Sequence, residues 1–363
     1  MSADDQAAYV ASQWQLIWWK FRKHRLAMLS VTVLGVLYLV AVLCEFLSPY
    51  APLTRFPEFL DAPPQRIRVF EAGAGLRGPF VYGIVKSRDP ETFRRIYPID
   101  PDQVHPVRLL VRGEPYQFWG LFETDLHLFG VEDSSIFLLG TDRLGRDLFT
   151  RILYGARISL SVGLVGVFLT FVFGIVLGGL SGYLGGVVDT VIQRVIDLLL
   201  SIPTIPLWMA LAAALPREWP AIRIYFGIVL IFSVIGWTEL ARVVRGRLLS
   251  VREEDFVVAA RVTGSSHLSI IFRHLIPSCS SYIIVSLTLA IPTMILGETA
   301  LSFLGLGLQP PVVSWGTLLK DAQSMQAIAH RPWMLSPCLF VVVAVLMFNF
   351  MGDGLRDSAD PLK

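Results

Sequence analysis

The chain has 363 residues, 54% of them hydrophobic and only 17% charged, with a formal net charge of +2. Soluble domains carry roughly 25% charged residues, so this balance excludes an ordinary soluble globular protein and points to a polytopic membrane protein. The near-neutral charge gives no reason to expect nucleic acid, and Cys44, Cys279 and Cys338 lie far apart with neither metal spacing nor a disulfide framework.

Residues 1–25 show no small-residue cleavage pattern after the first apolar run, so no secretory leader is expected. Trp14, Leu16, Ile17, Trp18 and Trp19 precede Lys20, Arg22, Lys23 and Arg25, which reads as an interfacial segment with aromatics at headgroup level. The basic cluster predicts a cytoplasmic N-terminal segment. The first span follows over 26–48, apolar except for Glu45 near its end.

Residues 49–140 differ in kind. Prolines recur, charges are frequent, and short β-rich runs occur at 80–85, 107–111, 116–119 and 136–139. This predicts a small β-containing domain outside the membrane, extracytoplasmic because it follows a single span. It is expected either to contact a binding protein or a neighbouring membrane subunit, or to serve as a spacer.

The remainder, 141–363, reads as a five-helix core. It opens with Gly-Thr-Asp-Arg-Leu-Gly-Arg-Asp at 140–147, where Thr141 and Asp142 offer oxygens to cap a helix. Leu148, Ile152 and Leu153 with Arg146, Arg151 and Arg157 predict an amphipathic helix lying at the interface. No Walker A sequence occurs, so the chain itself is not expected to hydrolyse ATP. A second span, 158–183, has glycines three and four apart that allow close helix–helix approach. A third, 187–215, is interrupted by Ser-Ile-Pro-Thr-Ile-Pro at 201–206. Lipid tolerates such a break only where it lines a cavity or faces protein, so Ser201 and Pro203 are candidate substrate-pathway residues. Asp189, Arg194 and Asp197 are expected to face inward or the cytoplasmic edge, either as paired charges in a packed kink or in the pathway itself.

The fourth span, 222–241, has Glu239 near its end. The fifth, 282–304, contains Glu298, the most conspicuous membrane-level carboxylate. It reads either as a packing hydrogen-bond partner or as a pathway residue. The sixth is 335–351. Between the fourth and fifth lies a polar, basic loop at 244–280. There Phe256, Ala259, Ala260, Val262 and Thr263 recur at helical spacing, and Glu253, Glu254 and Asp255 favour a helix start. Gly264 is able to take a positive φ, and Pro277 is expected to stop a second short helix of Leu268, Ile270, Ile271 and Leu275. Ala259 and Ala260 leave a small flat surface for close packing. The arginines on and before this loop place it on the cytoplasmic side, in agreement with four spans counted from a cytoplasmic N-terminus. It reads as a shape to be gripped, or else as an amphipathic connector.

The pattern Ala-Ala-x3-Gly-x12-Pro, carried by Ala259, Ala260, Gly264 and Pro277, resembles the EAA loop of the membrane subunits of ATP-binding-cassette importers. The motif at 140–147, the run from Glu298 to Pro311 with Ser314-Trp-Gly316, and Gly-Asp-Gly-Leu-Arg-Asp at 352–357 resemble the C-type permeases of dipeptide and oligopeptide importers (DppC/OppC-like). The resemblance covers 15–48 loosely and 138–363 closely. It implies an all-α polytopic membrane protein with six transmembrane helices (the type I ABC importer permease fold) and the extracytoplasmic β-containing insert between the first two. It implies a multi-pass inner-membrane subunit with both termini cytoplasmic. The implied partners are a second, B-type permease subunit, two ATP-binding subunits, an extracytoplasmic solute-binding protein and membrane lipid. No cofactor is expected on this chain; ATP and Mg would be used by the partner ATPase subunits.

The implied ATPase-coupling residues are Ala259, Ala260, Gly264 and Pro277, with Arg261 and His274 in the same segment. Val258 stands where the family has glutamate, so the salt bridge made from that position elsewhere is not expected here. The implied cargo is a small peptide, with opines, oligosaccharides or nickel chelates as alternatives, and selectivity would rest mainly with the binding protein. Two other classes compete. An intramembrane hydrolase needs a nucleophile with a base or metal ligands at compatible depth, but His24, His105, His127, His267, His274 and His330 all lie outside the expected spans and no His-Glu-x-x-His occurs. An ion-coupled carrier would show inverted repeats or several membrane carboxylates, and would leave the loop at 244–280 without a role.

Overall fold

The computed structural model describes residues 13–71, 75–91, 93–132 and 134–359. The chain divides into two compact units, Met1–Val36 with Ser161–Leu301 and Val342–Lys363, and Leu37–Leu160 with Ser302–Val341. It begins with α1 (Gln13–Lys23), α2 (Arg25–Val42) and α3 (Cys44–Leu47). Among the described residues seven strands follow: β1 (Arg68–Glu71), β2 (Gly75–Ile84), β3 (Ser87–Arg88), β4 (Arg95–Ile96), β5 (Ile99–Pro106), β6 (Arg108–Phe118) and β7 (Phe122–Gly130). Thereafter the chain is helical: α4 (Leu148–Leu184), α5 (Gly186–Ser201), α6 (Thr204–Ala213), α7 (Ala221–Val251), α8 (Asp255–Val262), α9 (His267–Ser269), α10 (Ile276–Ser278), α11 (Ser280–Phe303), α12 (Trp315–Asp321), α13 (Met325–His330) and α14 (Ser336–Ala359).

Among the described residues, five helical stretches are long and apolar enough to cross a membrane: α2, α4, α7, α11 and Pro332–Ala359. A sixth candidate is α5 with α6, which bend by 88° at the Ile202–Pro203 break. Pro203 brings no N–H and biases Ile202 to an extended backbone, so the helix has to stop and restart there. The kink is therefore sharper than a merely interrupted span.

In the helical unit, α4 and α7 approach closely through small residues. A Cβ at Gly178 would meet the backbone of Ala241 at 2.7 Å, so only hydrogen fits there. One ring of the core gathers Ile175 and Tyr183 of α4, Leu240, Val244 and Leu248 of α7, and Val257, Ala260, Ile270, Ile271 and Leu275 of the segment that follows. Charge pairs fix α5 beside α7. Arg245 holds Asp189 through two hydrogen bonds of 2.5 and 2.6 Å, and Arg242 reaches Asp197 at 2.6 Å. The carboxylates near the kink are thus paired charges, while Arg194 is exposed.

In the other unit the strands form three small antiparallel sheets, ordered β1-β2-β5, β3-β4 and β6-β7. The runs 107–111 and 116–119 prove to be parts of one strand, β6, paired with β7 from Arg108↔Gly130 to Phe118↔Phe122. The run 136–139 is not a strand. Ile136 and Phe137 are buried instead, Phe137 packing edge-on against Phe56, so its apolar character reflects core packing rather than sheet pairing.

The motif at 140–147 also folds differently from its reading as a cap by Thr141 and Asp142. The helix starts only at Leu148, and Asp147 caps it by accepting the Thr150 N–H at 2.7 Å. Asp142 closes the preceding turn, accepting from the N–H groups of Leu144 and Arg146, and takes the guanidinium of Arg151 at 2.5 Å. Thr141 bridges to residues 59–62, accepting the Ala62 N–H. The expected interfacial helix is the first part of α4, which runs unbroken through 148–157, with Leu148, Ile152 and Arg151 all buried. Trp315, held by a capping box at the start of α12, donates its indole N–H to Ile152 O. At the far end, the helix continues through the glycine-containing run 352–357 to Ala359.

Candidate functional site

The loop at 244–280 becomes a folded ledge. Its first helix, α8, is amphipathic: Val257 and Ala260 are buried in the ring described above, while Phe256, Val258, Ala259, Arg261 and Val262 are exposed. The helix ends in a Schellman motif. Gly264 takes φ +79°, its N–H reaches Arg261 O, and the Ser265 N–H reaches Ala260 O. The expected left-handed glycine elbow is therefore present. Nothing lies within 4 Å of where a Cβ at Gly264 would sit, so the requirement for glycine is conformational and not steric.

After the elbow, Ser266 caps α9 by accepting the Ser269 N–H. The chain then forms a π-helical turn at Ile270–Leu275, followed directly by α10. Pro277 sits in the first positions of α10, and the turn falls at Cys279, two residues later than expected. A π turn loosens the backbone ladder just before a residue that has no N–H to give it, so the proline is accommodated without ending the helix at once.

Tyr183, at the end of α4, holds the ledge from beneath. Its ring lies 5.5 Å from that of His267, its hydroxyl is 3.3 Å from His267 Nδ1, and the guanidinium of Arg261 is 5.9 Å from its centre. Arg247 stacks over Tyr282 at 3.5 Å, tying α7 to α11.

The structure thus brings Ala259, Ala260, Arg261, Gly264, His274 and Pro277 into one segment but not onto one face. Ala259, Arg261, Gly264 and Pro277 are exposed, His274 is half-buried, and Ala260 faces the chain's own core. The pair Ala259-Ala260 is therefore split, one alanine inward and one outward, not a flat double-alanine surface. The sequence pattern put Phe256, Ala259, Ala260, Val262 and Thr263 on one apolar face, but of these only Ala260 packs inward; what it missed is the outward exposure of Phe256, Val262, Leu268 and Phe272, of which Val262 is 81% exposed. Its signal was an apolar surplus on helices too short to need two hydrophobic faces.

The three pathway candidates differ in environment. Glu298 is fully buried in α11, whereas Ser201 and Pro203 are exposed at the kink, where the Ser201 hydroxyl donates to Leu198 O. Among the described residues no group of three or more His, Cys, Asp or Glu is placed to hold a metal ion.

Residues 174–362 match the model of a family described as binding-protein-dependent transport system inner membrane component. Residues 12–64 match a second, described as the N-terminal TM domain of oligopeptide transport permease C. The chain is 37% identical over 223 residues to the oligopeptide transport system permease protein OppC of Bacillus subtilis, covering 61% of this chain and 70% of that one. It is 31% identical over 364 residues to the dipeptide transport system permease protein DppC of Lactococcus lactis subsp. cremoris, covering 99% of this chain and 94% of that one. The latter alignment runs through the insert at 49–140. Among solved structures, the chain is similar to one described as inward-facing conformations of the MetNI methionine ABC transporter, at 18% identity and TM-score 0.46, over 57% of this chain and 96% of that one.

Proposed function

We propose, given that this chain belongs to the family of binding-protein-dependent transport system inner membrane components, that it forms half of the membrane pore of an ATP-driven importer of small peptides. The second half would be a B-type permease, and an extracytoplasmic binding protein would deliver the cargo. Two ATP-binding subunits would supply the work, using ATP and Mg that this chain does not itself bind. Peptide as cargo is supported by its relatives, an oligopeptide permease OppC and a dipeptide permease DppC.

The observation that carries the reading is the ledge at 255–278. Its inner face is rooted in the bundle core, while its outer face presents Phe256, Val262, Leu268 and Phe272 with Arg261 among them. Exposed apolar side chains with charge among them suit a groove in another protein. Because the inner face packs on α4 and α7, a partner that displaces the ledge pushes on the spans directly. Packed interfaces switch between discrete arrangements and do not bend gradually, so such a push is suited to opening and closing a pore.

Orientation follows from charge. Lys20, Arg22, Lys23 and Arg25 flank α2, and Arg242, Arg245, Arg247 and Arg252 lead into the ledge. Both clusters belong on the cytoplasmic side. That requires an even number of crossings between them, which is met when α5 with α6 counts as one crossing alongside α2, α4 and α7. The β-containing insert at 49–140 then lies outside. Replacing Gly264 by valine tests the reading. A β-branched side chain strains the left-handed φ, so uptake should be abolished while the membrane subunits still co-purify. Normal uptake by that variant would overturn the coupling role.

A further inference from the structure

Within the helical unit a cavity of about 320 Å3 opens between α4, α6, α7 and α11. Its walls are not those of a lipid-filled gap. Thr170, Glu239, Ser286 and Thr293 line it beside Trp208 and Phe232. Two of these groups are buried polar atoms in want of a partner. Trp208 is 7% exposed and Thr170 2%, and among the described residues neither the indole N–H nor the hydroxyl has a hydrogen-bond partner. Proteins rarely keep such atoms unless water or a ligand completes them.

Glu239 adds charge to the same wall. Asp189 and Asp197, on the neighbouring α5, each meet an arginine. No hydrogen bond or ion pair within the described residues reaches Glu239. Glu239 is exposed on this chain and lines the cavity, so its carboxylate is open to a solute that enters there. The cavity therefore offers one negative charge and one N–H donor, with hydroxyls between them and apolar surface from Phe232. Its size is at the low end for small-ligand pockets, roughly 300–1,000 Å3, so it suits one end of a molecule better than the whole of a long one.

We propose that this cavity is a subsite for a primary ammonium group next to a carbonyl, as at the free N-terminus of a peptide. Glu239 pairs with the ammonium and the Trp208 indole N–H donates to the carbonyl oxygen. This rests on the importer reading and deepens it, by placing part of the cargo recognition in the membrane subunit. It also moves the pathway away from Ser201, Pro203 and Glu298. α7 carries Glu239 and runs on to the ledge at Asp255, so a displaced ledge acts on the helix that holds the carboxylate.

The test uses the importer purified with its co-purifying subunits in lipid nanodiscs, without binding protein. Binding of tritiated alanyl-phenylalanine is compared with that of its N-acetyl derivative, which lacks the charge. The wild type is expected to bind the free amine at least about tenfold more tightly, the scale of one charge-assisted hydrogen bond. Glu239→Gln should erase the difference, Glu239→Asp should restore most of it, and Trp208→Phe should weaken both peptides alike. The proposal is overturned if the wild type binds neither peptide, as for a cavity that holds only water. It is also overturned if the wild type binds both equally, or if Glu239→Gln still discriminates. A preparation that contains ATP-binding subunits and yet gives one of those results refutes the subsite alone. A preparation without any ATP-binding subunit refutes the importer reading beneath it.

Discussion

Asp142 concentrates more structure than any other side chain of the motif at 140–147. Its carboxylate is 2% exposed and serves Arg146 at 2.7 Å and Arg151 at 2.5 Å, while Asp321 reaches the same two guanidinium groups only at 3.4–3.5 Å. Removing the buried acid leaves buried cations with one distant partner. Asp142→Asn should therefore cost about 3–5 kcal/mol of stability, read as a lowered melting temperature of the detergent-solubilised chain. Asp321→Asn should cost much less, because that side chain is 31% exposed.

Asp147 behaves in the opposite sense. Burial pushes its carboxyl up to about 7, against the lowering effect of the hydrogen bond from the Thr150 N–H. The folded chain then holds a proton that the unfolded chain has already released, so this group makes stability fall as pH rises from the ordinary carboxylate range to about 7. Asp147→Asn keeps the cap and removes the titration. Its melting temperature should match the wild type near the acid end of that window and exceed it above pH 7. A parallel pH profile for the two proteins would contradict the assignment. None of this was legible in the sequence, where Thr141 and Asp142 looked like better caps. Which acid caps and which pairs depends on the residue at which the helix begins, and periodicity fixes that only to within a turn.

At the scale of elements, α4 and α7 touch through glycine. Gly178→Ala would drive a methyl group against the backbone of Ala241 and should cost about 1–3 kcal/mol. Gly246→Ala, in open space on α7, should be neutral or stabilising by up to about 1 kcal/mol, since alanine suits a helix interior better. Equal melting temperatures for the two variants would show that the close approach is not what holds the pair. This part of the fold was legible, because glycines spaced by four residues in an apolar helix have few other uses.

The ledge was half legible. Glu254 and Asp255 at its start, Gly264 at its elbow and the short second helix were all readable from local chemistry. The split of Ala259 from Ala260 was not, because it depends on the rotation of α8 about its axis, which the packing of Val257 decides. Placing aspartate at the 81% exposed Val262 should leave the stability within about 0.5 kcal/mol of wild type, and should prevent co-purification of an ATP-binding subunit.

For the whole molecule, the mostly helical architecture was legible from composition and hydropathy, and the insert from its proline-rich, charged sequence. The 88° bend of α5 against α6 was not, since two prolines announce a break but not its angle. The proposed topology requires this bent pair to cross the membrane once. Single cysteines at the exposed Arg22 and Arg261 should therefore both resist an impermeant thiol reagent applied from outside intact cells, in a chain whose own exposed Cys338 has been replaced. Labelling of one and not the other would make the pair a re-entrant loop.

This chain is proposed to work as one membrane subunit of an ATP-driven importer. The most direct measurement is to tag it, extract its native membrane in mild detergent and identify what it brings down. That function predicts a second permease and two ATP-binding subunits, with the ATP-binding subunits lost when Val262 is replaced by aspartate. A homo-oligomer without any ATP-binding subunit would contradict it.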